Sequence, residues 1–292
     1  MANTDFGWAV PIMRAGYAGR GIVYTVIAGF SLYAIWRGGS AEGTSSALAQ
    51  LENTTWGGVV LFLIFIGMVA YAVWRVIAAI YDLEAEGDDA KGMLARVGMA
   101  VTGILHLAIG VLAFLLLFTG KEGGGGGQSK IAEVAGKVME WPFGATLVGI
   151  AGLITVGAGI YYFVKALKEK YRNKLYENDF TRKVNPALKF GVVAQGVIVT
   201  LMGAFIAYAG WTANPNEAGG MGKSFSWLSG QVYGQLLVTA VCIGLAGFAL
   251  FCFVNAGCRI VPKAAGDDVN TLAEKAKDAG REAKRKAQQT AA

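Results

Sequence analysis

Apolar residues in this chain fall into six long blocks, at 17–36, 57–80, 97–118, 144–164, 190–210 and 233–255. Each is long enough for the roughly 20 residues that cross a hydrocarbon core about 30 Å thick. The interruptions are almost all Gly, Ala, Ser, Thr or a lone polar side chain. The apolar runs are continuous rather than alternating, which argues against a membrane β-barrel. Six transmembrane helices are predicted, because a helix satisfies its own backbone hydrogen bonds in lipid. Between the members of each pair lie shorter mixed stretches, TSSALAQLE at 44–52, SKIAEVAGKVME at 129–140 and SFSWLSGQ at 224–231. Surface helices or turns are expected there.

The blocks repeat. RAGYAGRGIVYTVIA from Arg14, RVGMAVTGILHLAIG from Arg96 and KFGVVAQGVIVTLMG from Lys189 share a basic opening residue. Glycine follows at the third place (Gly16, Gly98, Gly191) and at the eighth (Gly21, Gly103, Gly196). The second member of each pair opens on Gly57, Gly144 or Gly234. Aromatics follow seventeen residues later at Trp74, Tyr161 and Phe251. Such recurrence decides architecture. The expected fold is all-α and integral to the membrane: three tandem helical hairpins of like orientation, pseudo-threefold about the membrane normal. The boundaries are 1–82, 83–185 and 186–262, followed by a charged tail at 263–292. Small residues let helix backbones approach closely in lipid, so the glycines read as packing seams.

The opening RAGYAGRGIVY at 14–24 and the ending AYAVWRVIAAIYD at 70–82 resemble the bacterial membrane family known as domain of unknown function 1206. The resemblance spans roughly residues 10–262. It implies three two-helix repeats in a membrane and brings no chemistry. The third unit departs from the pattern, with Val192 in the place of Tyr17 and Gln195 in the place of Arg20.

Composition agrees with a membrane protein. The 292 residues are 54% hydrophobic and only 16% charged, against about 25% charged in soluble domains. The net charge of +6 does not point to nucleic acid, because the cations follow a topology pattern. All Lys and Arg except Arg37, Lys121, Lys130, Lys137 and Lys223 fall on one side of the predicted spans. Positive loops stay in the cytoplasm, so an inner-membrane location with both termini cytoplasmic is expected. Arg14 and Arg20 are counted among these cations, ahead of the first span. That span is too long for a signal-peptide core and is expected to remain uncleaved. Cys242, Cys252 and Cys258 form no C-x-x-C pair, so neither a disulfide framework nor a zinc site is expected.

The loops carry two motifs that fail on inspection. YDLEAEGDDAKG at 81–92 lacks a bidentate Glu at the twelfth place of a calcium loop, where Met93 stands. GKEGGGGGQSK at 120–130 has no G-K-[ST] closure and reads as a flexible linker. The charged segment 165–189 is predicted to extend the fourth helix and turn at Asn185-Pro186. The tail is predicted as a solvated helix touching anionic lipid through Lys284, Arg285 and Lys286.

Candidate chemistry is sparse. His106 is the only histidine, roughly 14 Å into the third span at 1.5 Å per residue. An ionisable group at that depth is costly and usually faces the protein interior. Tyr24 and Val199 hold the equivalent places. His106, Tyr24 and Gln195 are the candidate intramembrane polar site, with proton relay, ligand contact or a single haem axial ligand as functional readings of His106 and a plain hydrogen bond as the bland one. Arg14, Arg96 and Lys189 are candidate anionic-lipid contacts. No Asp or Glu lies in any span, and no catalytic motif or metal-ligand cluster is present, so neither catalytic residues, metal nor cofactor is expected. The function expected is a non-catalytic scaffold or lipid- or partner-binding protein. Its partners would be membrane lipids and a protein reached through the tail. The alternative is a channel or transporter for a small solute along the threefold axis.

Overall fold

The computed structural model describes residues 6–119, 127–176 and 178–262. The glycine-rich stretch 120–126 and the tail 263–292, with its predicted lipid contacts, lie outside them. Six long helices are apolar enough to span a membrane: α1 (Ala9–Trp36), α3 (Gly57–Tyr81), α4 (Ala90–Thr119), α6 (Gly144–Leu167), α7 (Asp179–Thr212) and α9 (Gly234–Cys258). Three shorter helices join them, α2 (Thr44–Glu52), α5 (Gly127–Met139) and α8 (Met221–Ser229). Each sits between the two long helices of one repeat, at the end opposite most of the basic loops.

The same glycine starts the second long helix of every repeat, and the structure shows why. A Cβ on Gly57 would lie 1.9 Å from the Leu51 carbonyl oxygen. On Gly144 it would lie 2.0 Å from that of Val138, and on Gly234 2.1 Å from that of Ser229. The short helix folds back so tightly that its last carbonyls fill the space of a side chain.

The two other repeated glycines do different jobs. The eighth-place glycine joins its repeat to a neighbouring one. Gly21 packs on Phe253 of α9, Gly103 on Ala72 and Arg75 of α3, and Gly196 on Gly159 and Tyr162 of α6. The third-place glycine closes its own hairpin, in the first and third repeats only. A Cβ on Gly16 would meet the Tyr71 Cα at 2.6 Å, and one on Gly191 the Phe248 nitrogen at 2.3 Å. One turn on, Gly19 lies against Gly67, and Gly244 against Ala194.

In the second repeat this seam is open. Neighbouring helices run α4–α3–α1–α9–α7–α6, and among the described residues α4 and α6 do not form a packed pair. Gly98 has no neighbour where its Cβ would be. The positions equivalent to Gly19 and Gly67 hold Val101 and Ile154, 49% and 68% exposed. Small residues permit close backbone approach in lipid; a β-branched pair at the crossing point prevents it. The six helices therefore form a ring broken at one place.

The segment after α6 departs from the sequence expectation. α6 ends at Leu167 and does not continue to Pro186. Glu169 turns left-handed at φ 47°, and a 3₁₀ turn follows over Lys170–Lys174. Helix α7 begins at Asp179 behind a capping box: Thr181 N donates to Asn178 Oδ1 at 2.7 Å, and Asn178 N to Thr181 Oγ1 at 3.0 Å. Pro186 lies inside α7 and does not end it. The cap fixes the start, and α7 is already under way when the proline is reached. Likewise α1 begins at Ala9, so Arg20 is its twelfth residue rather than a flanking charge.

At the basic end, three connections meet on Glu84. Arg259 Nη2 reaches its carboxylate at 2.6 Å and Lys174 Nζ at 2.8 Å. Tyr176 N donates to the Cys258 carbonyl at 2.7 Å, and Ile260 N to that of Lys174 at 2.9 Å. Burial alone would raise the Glu84 carboxyl pKa; Arg259, then Lys174, more than reverse this and hold it well below the usual carboxylate range.

Candidate anion site around Arg20

Arg20 points into the bundle and is 5% exposed. At 1.5 Å per residue it lies about 17 Å from the start of a helix about 42 Å long. Its guanidinium sits over three rings, 5.3 Å from the Tyr71 centroid, 5.6 Å from Tyr24 and 5.0 Å from Phe248. Nη1 donates to Tyr71 Oη at 3.1 Å and Nη2 to Tyr162 Oη at 3.5 Å. Nε is buried with no hydrogen-bond partner. Among the described residues no carboxylate pairs with it. Ring faces attract cations by about 2 kcal/mol when desolvated, and they do so without cancelling the charge.

Two more cations lie close by, Arg75 on one of these rings and Lys165 on their neighbours. The Arg75 guanidinium lies 5.8 Å from the Tyr71 centroid, with its Nε also unpartnered. Lys165 Nζ lies 5.9 Å from the Tyr162 centroid and 5.3 Å from Phe251. Neither makes an ion pair among the described residues. Tyr24 packs edge-on to Phe248 at 4.8 Å. Arg20, Arg75 and Lys165 come from α1, α3 and α6, so the first two repeats supply the charge and α9 supplies Phe248 and Phe251.

His106 joins the group from α4. Its ring lies 4.8 Å from that of Tyr71. Nδ1 is 2.8 Å from the Thr102 carbonyl oxygen; a carbonyl only accepts, so Nδ1 carries the hydrogen and Nε2 stays available. Of the residues picked from sequence, Tyr24 and His106 are thus brought together around Arg20 and Tyr71. Gln195 is buried on α7 with Oε1 unpartnered. It occupies the repeat position of Arg20 but makes no hydrogen bond to the cluster.

The other three are placed differently. Arg96 Nε donates to the Ala79 carbonyl at 2.6 Å and Nη2 to that of Ile80 at 2.9 Å, capping α3, while Nη1 reaches Asp88 at 2.7 Å. Lys189 pairs with Glu169 at 3.3 Å. Arg14 is exposed. Two of the three thus have carboxylate partners within the protein.

Sequence reasoning missed Arg20, Tyr71, Arg75, Tyr162 and Lys165 as site residues. A signal existed: Arg20, Thr102 and Gln195 are equivalent by repeat and all polar. Assigning Arg20 to the flanking topology charges hid it.

The arrangement defines a class: a six-span helical membrane protein of three tandem two-helix repeats, with an interior cationic cluster that no carboxylate pairs with among the described residues. The comparisons narrow this to one family. The model described as Domain of Unknown Function (DUF1206) matches residues 15–82, 97–169 and 190–259, once per repeat, and the chain belongs to that family. It is also similar to the Uncharacterized protein YxxB of Bacillus subtilis (strain 168), 25% identical over 252 residues, covering 85% of this chain and 90% of the relative. No solved structure matches it significantly.

Proposed function

We propose that this is a non-catalytic membrane protein that binds an anionic, lipid-like ligand at the Arg20 cluster, seated in the inner membrane with both ends in the cytoplasm. The observation that carries the reading is the buried Arg20, with its unpartnered Nε, Arg75 on the same Tyr71 ring, and Lys165 over the ring of Tyr162, whose hydroxyl Arg20 also reaches. Buried charges in membranes pair or mark a ligand pathway. Among the described residues no carboxylate pairs with any of the three cations, which supports an anion supplied as ligand. The tyrosine hydroxyls beside Arg20 supply further donors for phosphate or carboxylate oxygens. Binding is favoured over conduction because Arg20 is held among the buried rings of Tyr24, Tyr71 and Phe248, while Arg75, Tyr162 and Lys165 beside it are half-buried and leave the cluster approachable from one side.

The test is native mass spectrometry of the protein from mild detergent, offered phosphatidylglycerol or phosphatidylcholine of identical chains. Preferential retention of phosphatidylglycerol, lost in Arg20→Gln and in the half-buried Arg75→Gln, is expected. Equal retention of both lipids, or retention unchanged in both variants, overturns the reading.

A further inference from the structure

We infer that the broken seam between α4 and α6 is the lateral entrance to the Arg20 site and holds the hydrocarbon chain of the bound anionic lipid. This rests on the binding proposed above and adds where the ligand lies, how it enters and why only the second repeat is built for it.

The seam is a place where the repeat withholds a contact it makes twice elsewhere. Gly16 and Gly19 close the first hairpin on Tyr71 and Gly67; Gly191 and Ala194 close the third on Phe248 and Gly244. The corresponding residues of the second are Gly98 and Val101 on α4, and Ala158 and Ile154 on α6. All four are exposed. Leu105, the next turn of α4, is 62% exposed. An apolar strip therefore faces outward at the depth of Arg20, on two helices that ought to cover one another.

Behind this strip lies the cationic cluster. Both edge helices contribute to it directly, α4 through His106 and α6 through Tyr162 and Lys165. Burial is graded across it. Arg20 and Tyr71 are buried, whereas Arg75, His106, Tyr162 and Lys165 are only partly so. The less buried members are thus those on or beside the two edge helices. From lipid inward, the seam presents apolar side chains first and last the cations that have no ion-pair partner among the described residues. That order matches one chemistry: an anionic head on a hydrocarbon chain. A free anion has no use for the apolar strip, and a second copy of this chain would bring no charge to Arg20 from its own apolar spans.

The experiment uses full-length protein in nanodiscs and a phosphatidylglycerol carrying a photoreactive diazirine at its chain end, with labelled residues mapped by peptide mass spectrometry. Labels are expected on α4 and α6 at Val101, Leu105, Ile154 or Ala158, and to be lost in Arg20→Gln. Val101→Trp and Ala158→Trp fill the seam from exposed positions and leave the cluster untouched. Each is expected to lower labelling about tenfold with an unchanged melting temperature. Arg20-dependent labelling elsewhere, undiminished by either tryptophan, overturns the entrance and leaves the binding reading standing. Labelling indifferent to Arg20 sinks the binding reading itself. Arg20-dependent stabilisation by inorganic phosphate, with no lipid labelling, assigns the site to a free anion and overturns the inference. So does a disulfide between two copies through Gly98→Cys, which would make the seam a contact between chains.

Discussion

Arg20 and Glu84 are both almost wholly buried, and they differ in the company they keep. Glu84 has two cations on its carboxylate, Arg259 and Lys174, and ties the end of the first repeat to the α6–α7 connection and to the end of α9. Removing one member of a buried ion pair leaves the others uncompensated, at about 3–5 kcal/mol. Glu84→Gln should lower the melting temperature in detergent by several degrees at pH 7. The pH dependence has a definite sign. The Glu84 pKa is depressed in the folded protein, so its contribution is full above the ordinary carboxylate value of about 4.3 and declines as pH falls below it. The gap between wild type and Glu84→Gln should therefore be constant from neutrality to mild acidity and narrow only in strong acid; a gap that closes between pH 7 and 5 would contradict this. Arg20 has no such partner among the described residues, and the proposed ligand rests on that asymmetry. His106, singled out in the sequence as the lone imidazole, turns out to be a neighbour of this site rather than its centre. Its rarity was visible in the sequence; the ring that binds it to Arg20, that of Tyr71, lies 35 positions away in the chain and was not.

At the scale of elements, the glycine pattern was legible and its division of labour was not. Spacing alone says that Gly16, Gly98 and Gly191 are equivalent. Whether an equivalent position packs depends on what faces it: Tyr71 and Phe248 in two repeats, open space in the other. This yields a matched comparison. Gly16→Leu forces a side chain into the α3 backbone and should cost about 1–3 kcal/mol or more by overpacking. Gly98→Leu, at the same repeat position, should leave the melting temperature within error. Equal destabilisation by both would mean that α4 and α6 do pack. The helix boundary after α6 shows a different limit. The proline at 186 was the stronger textual signal, yet the capping box at Asn178 and the left-handed turn at Glu169 set the break earlier.

For the whole molecule, six apolar blocks and a threefold repeat were enough to foresee an all-helical, six-span plan, because lipid demands that each backbone segment satisfy itself. They also implied an even ring. Symmetry in a sequence is a statement about ancestry of the units, and the structure departs from it where Val101 and Ile154 replace small residues. The proposed topology, with both chain ends on the cytoplasmic side, rests on the even number of spans and on the distribution of Lys and Arg. Reporter fusions at the two ends should both report a cytoplasmic location; opposite locations would dismantle the repeat assignment.

The most direct test of the account is an electron cryo-microscopy map of the protein in phosphatidylglycerol nanodiscs, inspected at Arg20 and between α4 and α6. The account predicts one elongated non-protein density, its head within hydrogen-bonding distance of Arg20 and its tail running outward past Val101 and Ile154. A map in which α4 closes directly on α6, with Arg20 contacting protein groups alone, would contradict it.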